Sequence, residues 1–259
     1  MAWIGRELYI DRTIALSEFE TPERSALIEG SYSYSQEDER SYARSHQVNH
    51  APGSFFRYRV LKRSMDIGLV LLAAPVLLPI LVAVSWVVVL SSRGPIYYSH
   101  RRIRKSGEFF SMWKFRTMCQ NSAEVLEKHL AQHPEARMEW NKSHKLKNDP
   151  RITRVGSFLR RYSIDELPQL WNVLTGQMSL VGPRPIVAAE VEKYGDHFGY
   201  YCRVKPGLTG LWQVSGRSKL SYEERVSLDC KYVKEWALSR DVVILAKTLS
   251  VVLKQDGAF

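Results

Sequence analysis

"IGLVLLAAPVLLPILVAVSWVVVL", Ile67 to Leu90, decides what kind of protein this chain makes. Its 24 residues carry no charge. As one straight helix they reach about 36 Å, enough to cross a hydrocarbon core of roughly 30 Å. The plain reading is a single transmembrane helix, and two features oppose it. Pro75 and Pro79 sit inside the run, and each removes a backbone donor and favours a bend. Prolines are tolerated in spanning helices, so they only suggest a bend. Both flanks are also basic: Arg57, Arg59, Lys62 and Arg63 precede the run, and Arg93, Arg101, Arg102, Arg104 and Lys105 follow it. Positive charge marks the cytoplasmic side. Two positive flanks favour a helix that enters, bends near Ala74 and Pro75, and returns to the same face.

The rest of the chain is uneven in charge. The whole carries 37 Lys and Arg against 27 Asp and Glu, a net of +10. Residues 1–50 hold five basic and nine acidic residues, so the remainder carries a net of +14. A body this basic calls for an anionic partner: nucleic acid, anionic lipid or a phosphorylated substrate. Residues 1–52 read as a tail: "GSYSYSQEDERSYARSHQVNHAPG" is polar, rich in serine and tyrosine, and without apolar periodicity, and most of the segment is expected to be disordered. "MAWIGRELYI" does not read as a signal peptide. Cys119, Cys202 and Cys230 are odd in number and show no C-x-x-C spacing, so neither a disulfide framework nor a zinc site is expected.

Beyond the run, "PIYYSHRRIRKSGEFFSMWKF" predicts a β-hairpin turning at Lys105 to Glu108. Asn121 to about Trp140 reads as a helix capped by Asn121. His129 and His133 stand at i, i+4 without an evident third ligand, so a solvated helix face is the expectation there. "SFLRRYSIDELPQLWNVLTG" reads as helix, break, helix, with Gly176 as the end signal. "SLVGPRPI" and "RVKPGLTGLWQVSGRS" should be shaped loops. Ser221 to Glu224 is a capping-box pattern. "DVVILAKTLSVVLK" is too short to span, and suits either core or a bilayer surface.

Asp165 and Glu166 are the chemical candidates, and they admit two readings. Ser163-Ile-Asp-Glu166 matches a capping box. Pro168 fits better if Asp165 is itself the cap, because its missing donor then falls in the first turn. Either frame puts Asp165 at a helix N-terminus, where the dipole favours an ionised carboxylate. The geometry of a cap would thus also serve a nucleophile or magnesium ligand. Arg160 and Arg161 come one turn earlier; Arg184 sits in the stiff Gly-Pro-Arg-Pro loop; Lys114 and Arg116 follow an aromatic strand; Arg217 follows Gly216. Rigidly held arginines suit phosphate recognition. Together these residues suggest phosphoryl transfer to or from a lipid.

At these residues the chain resembles the bacterial sugar transferase family, the monotopic phosphoglycosyl transferases that begin polysaccharide assembly on polyprenyl phosphate. The matching pieces are "LKRSMDIGLVLLAAPVLLPI", "MWKFRTM", "DPRITRVGSFLRRYSIDELPQLWNVLTGQMSLVGPRP", "KPGLTGLWQVSGR" and "YVKEWALSRDVVILAKT", in family order over about residues 57–250. "HPEARMEWNKSHKLKNDPRIT" resembles the exopolysaccharide-production branch. The resemblance implies an α+β, mostly helical, monotopic membrane protein. A re-entrant helix at about residues 62–91, broken at Ala74 and Pro75, would carry a small cytosolic catalytic part at about residues 92–259. That part would contain a short β-hairpin and lie on the cytoplasmic face of the bacterial inner membrane.

The implied reaction transfers galactose- or glucose-1-phosphate from a UDP-sugar to undecaprenyl phosphate and releases UMP. Asp165 would be nucleophile and magnesium ligand, with Glu166 its dyad partner. Arg160, Arg184 and Arg217, with Lys114 and Arg116, would hold phosphate and nucleotide. Lys62 and Arg63 would meet the lipid phosphate at the membrane boundary. Membrane lipid is an expected partner, nucleic acid is not, and a homo-oligomer stays open. The rival reading is a non-catalytic membrane-bound scaffold.

Overall fold

The computed structural model describes residues 55–143 and 145–254. The expected tail at residues 1–52 lies outside them. Among the described residues, 121–150 belong to one compact unit, and 55–120 with 151–254 to another.

The smaller unit holds helices α2 (Ser122–Gln132) and α3 (Pro134–Ser143). A single helix to Trp140 was expected, and the chain breaks at His133 instead. That residue is extended because the ring of Pro134 disfavours helical geometry in its predecessor, and Pro134 then opens α3. Asn121 makes no side-chain cap bond. The rings of His129 and His133 lie 4.5 Å apart, and His133 Nδ1 is 3.4 Å from Glu135.

The larger unit begins with α1 (Phe55–Ser91). Among the described residues this is the helix long and apolar enough to cross a membrane. The expected break at Ala74 and Pro75 needs correction, since the chain is helical through both residues, with Pro75 and Pro79 inside the helix. Both prolines remove donors without ending it. Lys62, Asp66 and Val70 are buried at i, i+4, i+8, one stripe along the helix. Val88 is buried near the other end, while Leu71, Leu72, Val76, Leu78, Trp86 and Leu90 stay exposed.

β1 (Tyr97–Ile103) and β2 (Phe109–Phe115) form the expected antiparallel hairpin, Tyr97 facing Phe115 and Ile103 facing Phe109. The expected helix-break-helix follows as α4 (Arg154–Arg161), a 3-10 turn at Ile164–Glu166, and α5 (Gln169–Leu174). The two segments expected as loops contain a parallel strand pair, β3 (Ser179–Val181) with β4 (Gly207–Thr209). Three residues in each strand are too few to show a pattern. Short helices α6 (Val191–Tyr194) and α7 (Phe198–Tyr201) lie between these strands, and α8 (Tyr222–Lys234) and α9 (Leu238–Lys254) follow them. Ser221 caps α8 reciprocally with Glu224, as its pattern predicts.

The main core gathers Val70, Phe110, Met112, Val173, Met178, Val181, Tyr232 and Ile244. Beside it runs a buried polar seam. Lys62 Nζ lies 2.9 Å from Asp241 and 3.8 Å from Asp66. Asp66 accepts from Ser179 Oγ and the Leu180 amide, both at 3.0 Å. Asp241 accepts from the Tyr232 hydroxyl and Trp236 Nε1. One ammonium therefore ties α1 to α9 and, through Asp66, to β3. Lys62→Met leaves two buried carboxylates without their cation and should destabilise the protein by about 3–5 kcal/mol. Thermal unfolding of the purified protein checks this; a melting temperature within a degree of wild type would show the seam contributes little.

Candidate active site

The Asp165–Glu166 turn is held in place from both sides. On the downstream side, Asn172 of α5 is fully buried and acts on the free edge of β2. Its Oδ1 accepts from the Trp113 amide (3.1 Å), and its Nδ2 donates to Ser111 O (2.8 Å) and Gln177 Oε1 (2.6 Å). A side-chain amide thus completes two open positions of the strand. On the upstream side, α4 starts at Thr153, whose hydroxyl accepts from the Gly156 amide at 2.8 Å. Gly156 packs on the Thr117 carbonyl so closely that a Cβ would overlap it. At the other end of α4, Arg160 Nε donates to Thr117 Oγ1 at 2.8 Å.

Neither capping frame survives. Ser163 is left-handed at φ 55° and makes no side-chain cap bond. Asp165 lies inside the 3-10 turn, and Pro168 occupies the cap position of α5. With only one short turn following it, Asp165 draws little from a helix dipole. Burial, Lys114 and Glu166 set its chemistry instead.

Lys114, from β2, reaches both acids. Its Nζ is 2.6 Å from Glu166 Oε1 and 4.0 Å from Asp165 Oδ2. Asp165 is buried, and burial pushes its carboxyl up to about 6. Lys114 opposes that rise, Glu166 adds to it, and Arg160 opposes it. For Glu166 burial also raises, but Lys114 and then Arg184 outweigh it and hold the group below its ordinary range. The pair therefore separates into a Glu166 whose ionised form is favoured and an Asp165 whose ionised form is disfavoured. With its carboxyl raised to about 6, Asp165 still ionises by pH 7.

Arg184 is displayed as its loop predicts. Gly182 donates to Thr209 O (2.9 Å) and Gly207 to Pro183 O (2.8 Å). The Arg184 guanidinium lies 5.9 Å from the Trp212 ring, which also carries Arg225 at 4.9 Å. Arg217 begins the next 3-10 turn at φ 53°. Behind this surface, Asp229 takes the Tyr194 hydroxyl at 2.7 Å and is pushed up to about 8, by burial first. Neutral at pH 7, it leaves Arg184 uncommitted to an ion pair there.

Three expected contacts have other work. Arg116 is buried and donates to Pro95 O, Ser92 O and Ser92 Oγ at 2.6–2.9 Å, fastening the exit of α1. Gly94, at φ 119°, lets that guanidinium in, since a Cβ there would meet it. Arg63 donates to Val173 O and Leu174 O, closing the end of α5. Lys62 is sealed in the polar seam. Residues that sequence reasoning missed are Asn172, Arg102 and the Tyr194–Asp229 pair. Only Asn172 left a trace: it shares a helix face with Gln169 and Val173, all buried.

The sequence profile described as bacterial sugar transferase matches residues 57–255. The chain belongs to that family. The UDP-galactose-lipid carrier transferase of Erwinia amylovora is 54% identical over 201 residues, 78% of this chain and 42% of the relative. Exopolysaccharide production protein ExoY of Sinorhizobium fredii is 46% identical over 200 residues, 77% of this chain and 88% of that protein. The UDP-glucose:undecaprenyl-phosphate glucose-1-phosphate transferase of Escherichia coli is 40% identical over 201 residues, 74% of this chain and 40% of the relative. The chain thus spans less than half the length of the first and third. Lys114, Arg116, Arg160, Arg184, Arg217 and both carboxylates fall inside the matched family region.

Asp165 makes the site a source of instability. Its ordinary value is 3.8 and its folded value about 6, so the folded state disfavours the ionised form. That penalty is absent below about pH 4, grows with pH, and is complete above about pH 6. Asp165→Asn should therefore raise stability at pH 7–8, by at most about 3 kcal/mol, with the gain vanishing near pH 4. Paired melts across that range check it; a pH-independent difference would rule out a strained carboxylate.

Proposed function

We propose that the protein transfers a sugar 1-phosphate from a UDP-sugar to undecaprenyl phosphate, releasing UMP, as a first membrane step of exopolysaccharide biosynthesis. The observation that carries the reading is Asp165: buried, titrating near neutrality, and set beside a Glu166 already neutralised by Lys114. Of the two carboxylates, Asp165 is the one with a nucleophilic oxygen to offer.

An Asp165 oxygen attacks the β-phosphorus of the UDP-sugar. The bond from that phosphorus to the bridging oxygen breaks, and UMP leaves with the electron pair. The phosphate oxygen of undecaprenyl phosphate then attacks the phosphosugar–aspartate, forming the diphosphate linkage and returning the Asp165 carboxylate. Both steps transfer a phosphoryl centre and need charge stabilisation more than proton transfer. Arg184, Arg160 and Arg217 supply it to the donor's phosphates and nucleotide. Glu166 keeps the Lys114 ammonium beside Asp165.

No group of three or more metal-ligating side chains occurs among the described residues. Magnesium does not need one, because it is commonly held by one or two carboxylates plus substrate phosphates. Asp165 fits that donor set, whereas Glu166 is occupied by Lys114. When bound, the ion would neutralise charge on the diphosphate.

We also propose a monotopic placement on the bacterial inner membrane, with the catalytic part cytoplasmic. A crossing helix separates its ends by roughly 30 Å of hydrocarbon. Here Lys62, near one end of α1, and Val88, near the other, are both buried against the same unit. Both flanks on one face accommodate that packing. α4 turns Arg154, Phe158 and Arg161 outward, a basic and aromatic surface suited to lipid headgroups.

Incubation with undecaprenyl phosphate, magnesium and UDP-Gal, UDP-Glc, UDP-GlcNAc or UDP-GalNAc should release UMP, most with galactose or glucose. Asp165→Asn should abolish release; full activity would remove Asp165 as nucleophile. A wild type silent with every donor would leave the non-catalytic scaffold. Cysteines placed on either side of residues 67–90 should both label from the cytoplasm, and a periplasmic N-terminal flank would overturn re-entry.

A further inference from the structure

Of the stretch Gly182 to Ile186, only Arg184 is exposed; its four companions are buried. The β4 side of that stretch is fixed by the two backbone bonds already described. The opposite side is fixed by β1. Ile103 donates to Ile186 O at 2.9 Å. The Tyr201 hydroxyl donates to Ile103 O at 2.5 Å and accepts from the Ile186 amide at 3.4 Å. Between them, Arg102 Nη1 donates to Pro185 O at 3.2 Å, the carbonyl next to Arg184. The same nitrogen is 3.6 Å from Glu190 Oε2, which in turn accepts the Val187 amide at 3.0 Å.

Arg101 and Arg102 are adjacent in sequence, yet Arg101 is exposed while the Arg102 side chain is 15% exposed. The Arg102 Nε is buried without a partner among the described residues. Arg184 and Arg102 also act on each other as like charges, and both draw Glu166 down. Holding a desolvated guanidinium beside an exposed one is unfavourable without an anion to share. The carbonyl of Pro185 fixes Arg102, and Glu190 at 3.6 Å offsets only part of the repulsion from Arg184.

We infer that Arg102 is a positioning residue for the transfer reaction, bracing the Pro185 carbonyl so that Arg184 meets the donor's phosphate in one orientation. The inference rests on the proposed function. Arg102 itself is too enclosed to be the phosphate's first contact. It acts through Arg184, and this separates it from a residue that only stabilises the fold.

A double-mutant cycle tests it, with UMP release and melting temperature read on the full chain in wild type, Arg102→Gln, Arg184→Gln and the double variant. Arg184→Gln should lower kcat/KM about 100-fold. Arg102→Gln should lower it about 10–100-fold, mostly in kcat. The double variant should fall within about threefold of Arg184→Gln alone, because coupled residues are not additive. Multiplying losses with an active wild type would overturn the inference and leave the transferase reading intact. So would an Arg102→Gln enzyme whose melting temperature falls while its kinetics hold. If Arg102→Gln fails to fold, Arg102→Lys takes its place in the cycle with the same expectation. A wild type that releases no UMP overturns the reading and the inference with it.

Discussion

A buried ammonium holds this protein together. Lys62, Asp66 and Asp241 place two carboxylates and one cation out of water at the point where α1 meets the body. Burying ions is unfavourable unless every lone pair finds a partner, and most here do: Ser179, Leu180, Tyr232 and Trp236 all donate. The return is orientation rather than net stability. An apolar contact would let α1 slide or rotate on β3 and α9, whereas an ion set with directional donors permits one rotation. That rotation turns the stripe Lys62, Asp66, Val70 inward and sends Leu71, Leu72 and Val76 outward. The register of the apolar helix against the rest of its unit follows.

From that register the site is built by short reaches. Arg63, one residue on, closes the C-terminal carbonyls of α5. Asn172 in α5 completes the edge of β2, and β2 delivers Lys114. Lys114 is nearer Glu166 than Asp165, so the two acids diverge although they are adjacent in sequence. Coulomb energy falls with distance, and at 2.6 Å against 4.0 Å the nearer acid gains more. The farther one keeps most of its burial penalty. A single lysine thus sorts two adjacent acids into a charged anchor and a partner whose carboxyl stays raised.

What was legible in the sequence was local. The hairpin turn, the helix-break-helix around Asp165, the Ser221 cap and the stiff display of Arg184 are each set by residues within a few positions. The misses came from partners far along the chain. Nothing near Arg116 says that its acceptors are Ser92 and Pro95, or near Lys62 that Asp241 awaits it. The Ser163 capping pattern failed because the backbone turns left-handed there to connect α4 to the 3-10 turn. Proline at position 75 signalled a break, but removing one donor from a long helix that the body holds near both ends does not end it. Arg101 and Arg102 are alike in type, and the alternation of faces along β1 separates them, one outward and one inward.

The basic excess also has a structural logic that composition alone hides. Two of the arginines that fasten the fold are bound to carbonyl oxygens rather than carboxylates: Arg63 to Val173 and Leu174, Arg116 to Pro95 and Ser92. A carbonyl satisfies the donors and leaves the charge in place. The scaffold can therefore be fastened by arginines without cancelling the positive field that an anionic donor and an anionic lipid would both meet. Lys62 is the opposite case, its charge taken up by the two carboxylates that enclose it. The same residue class thus does two jobs. The acceptor type, carbonyl or carboxylate, decides which charges remain available to the substrate.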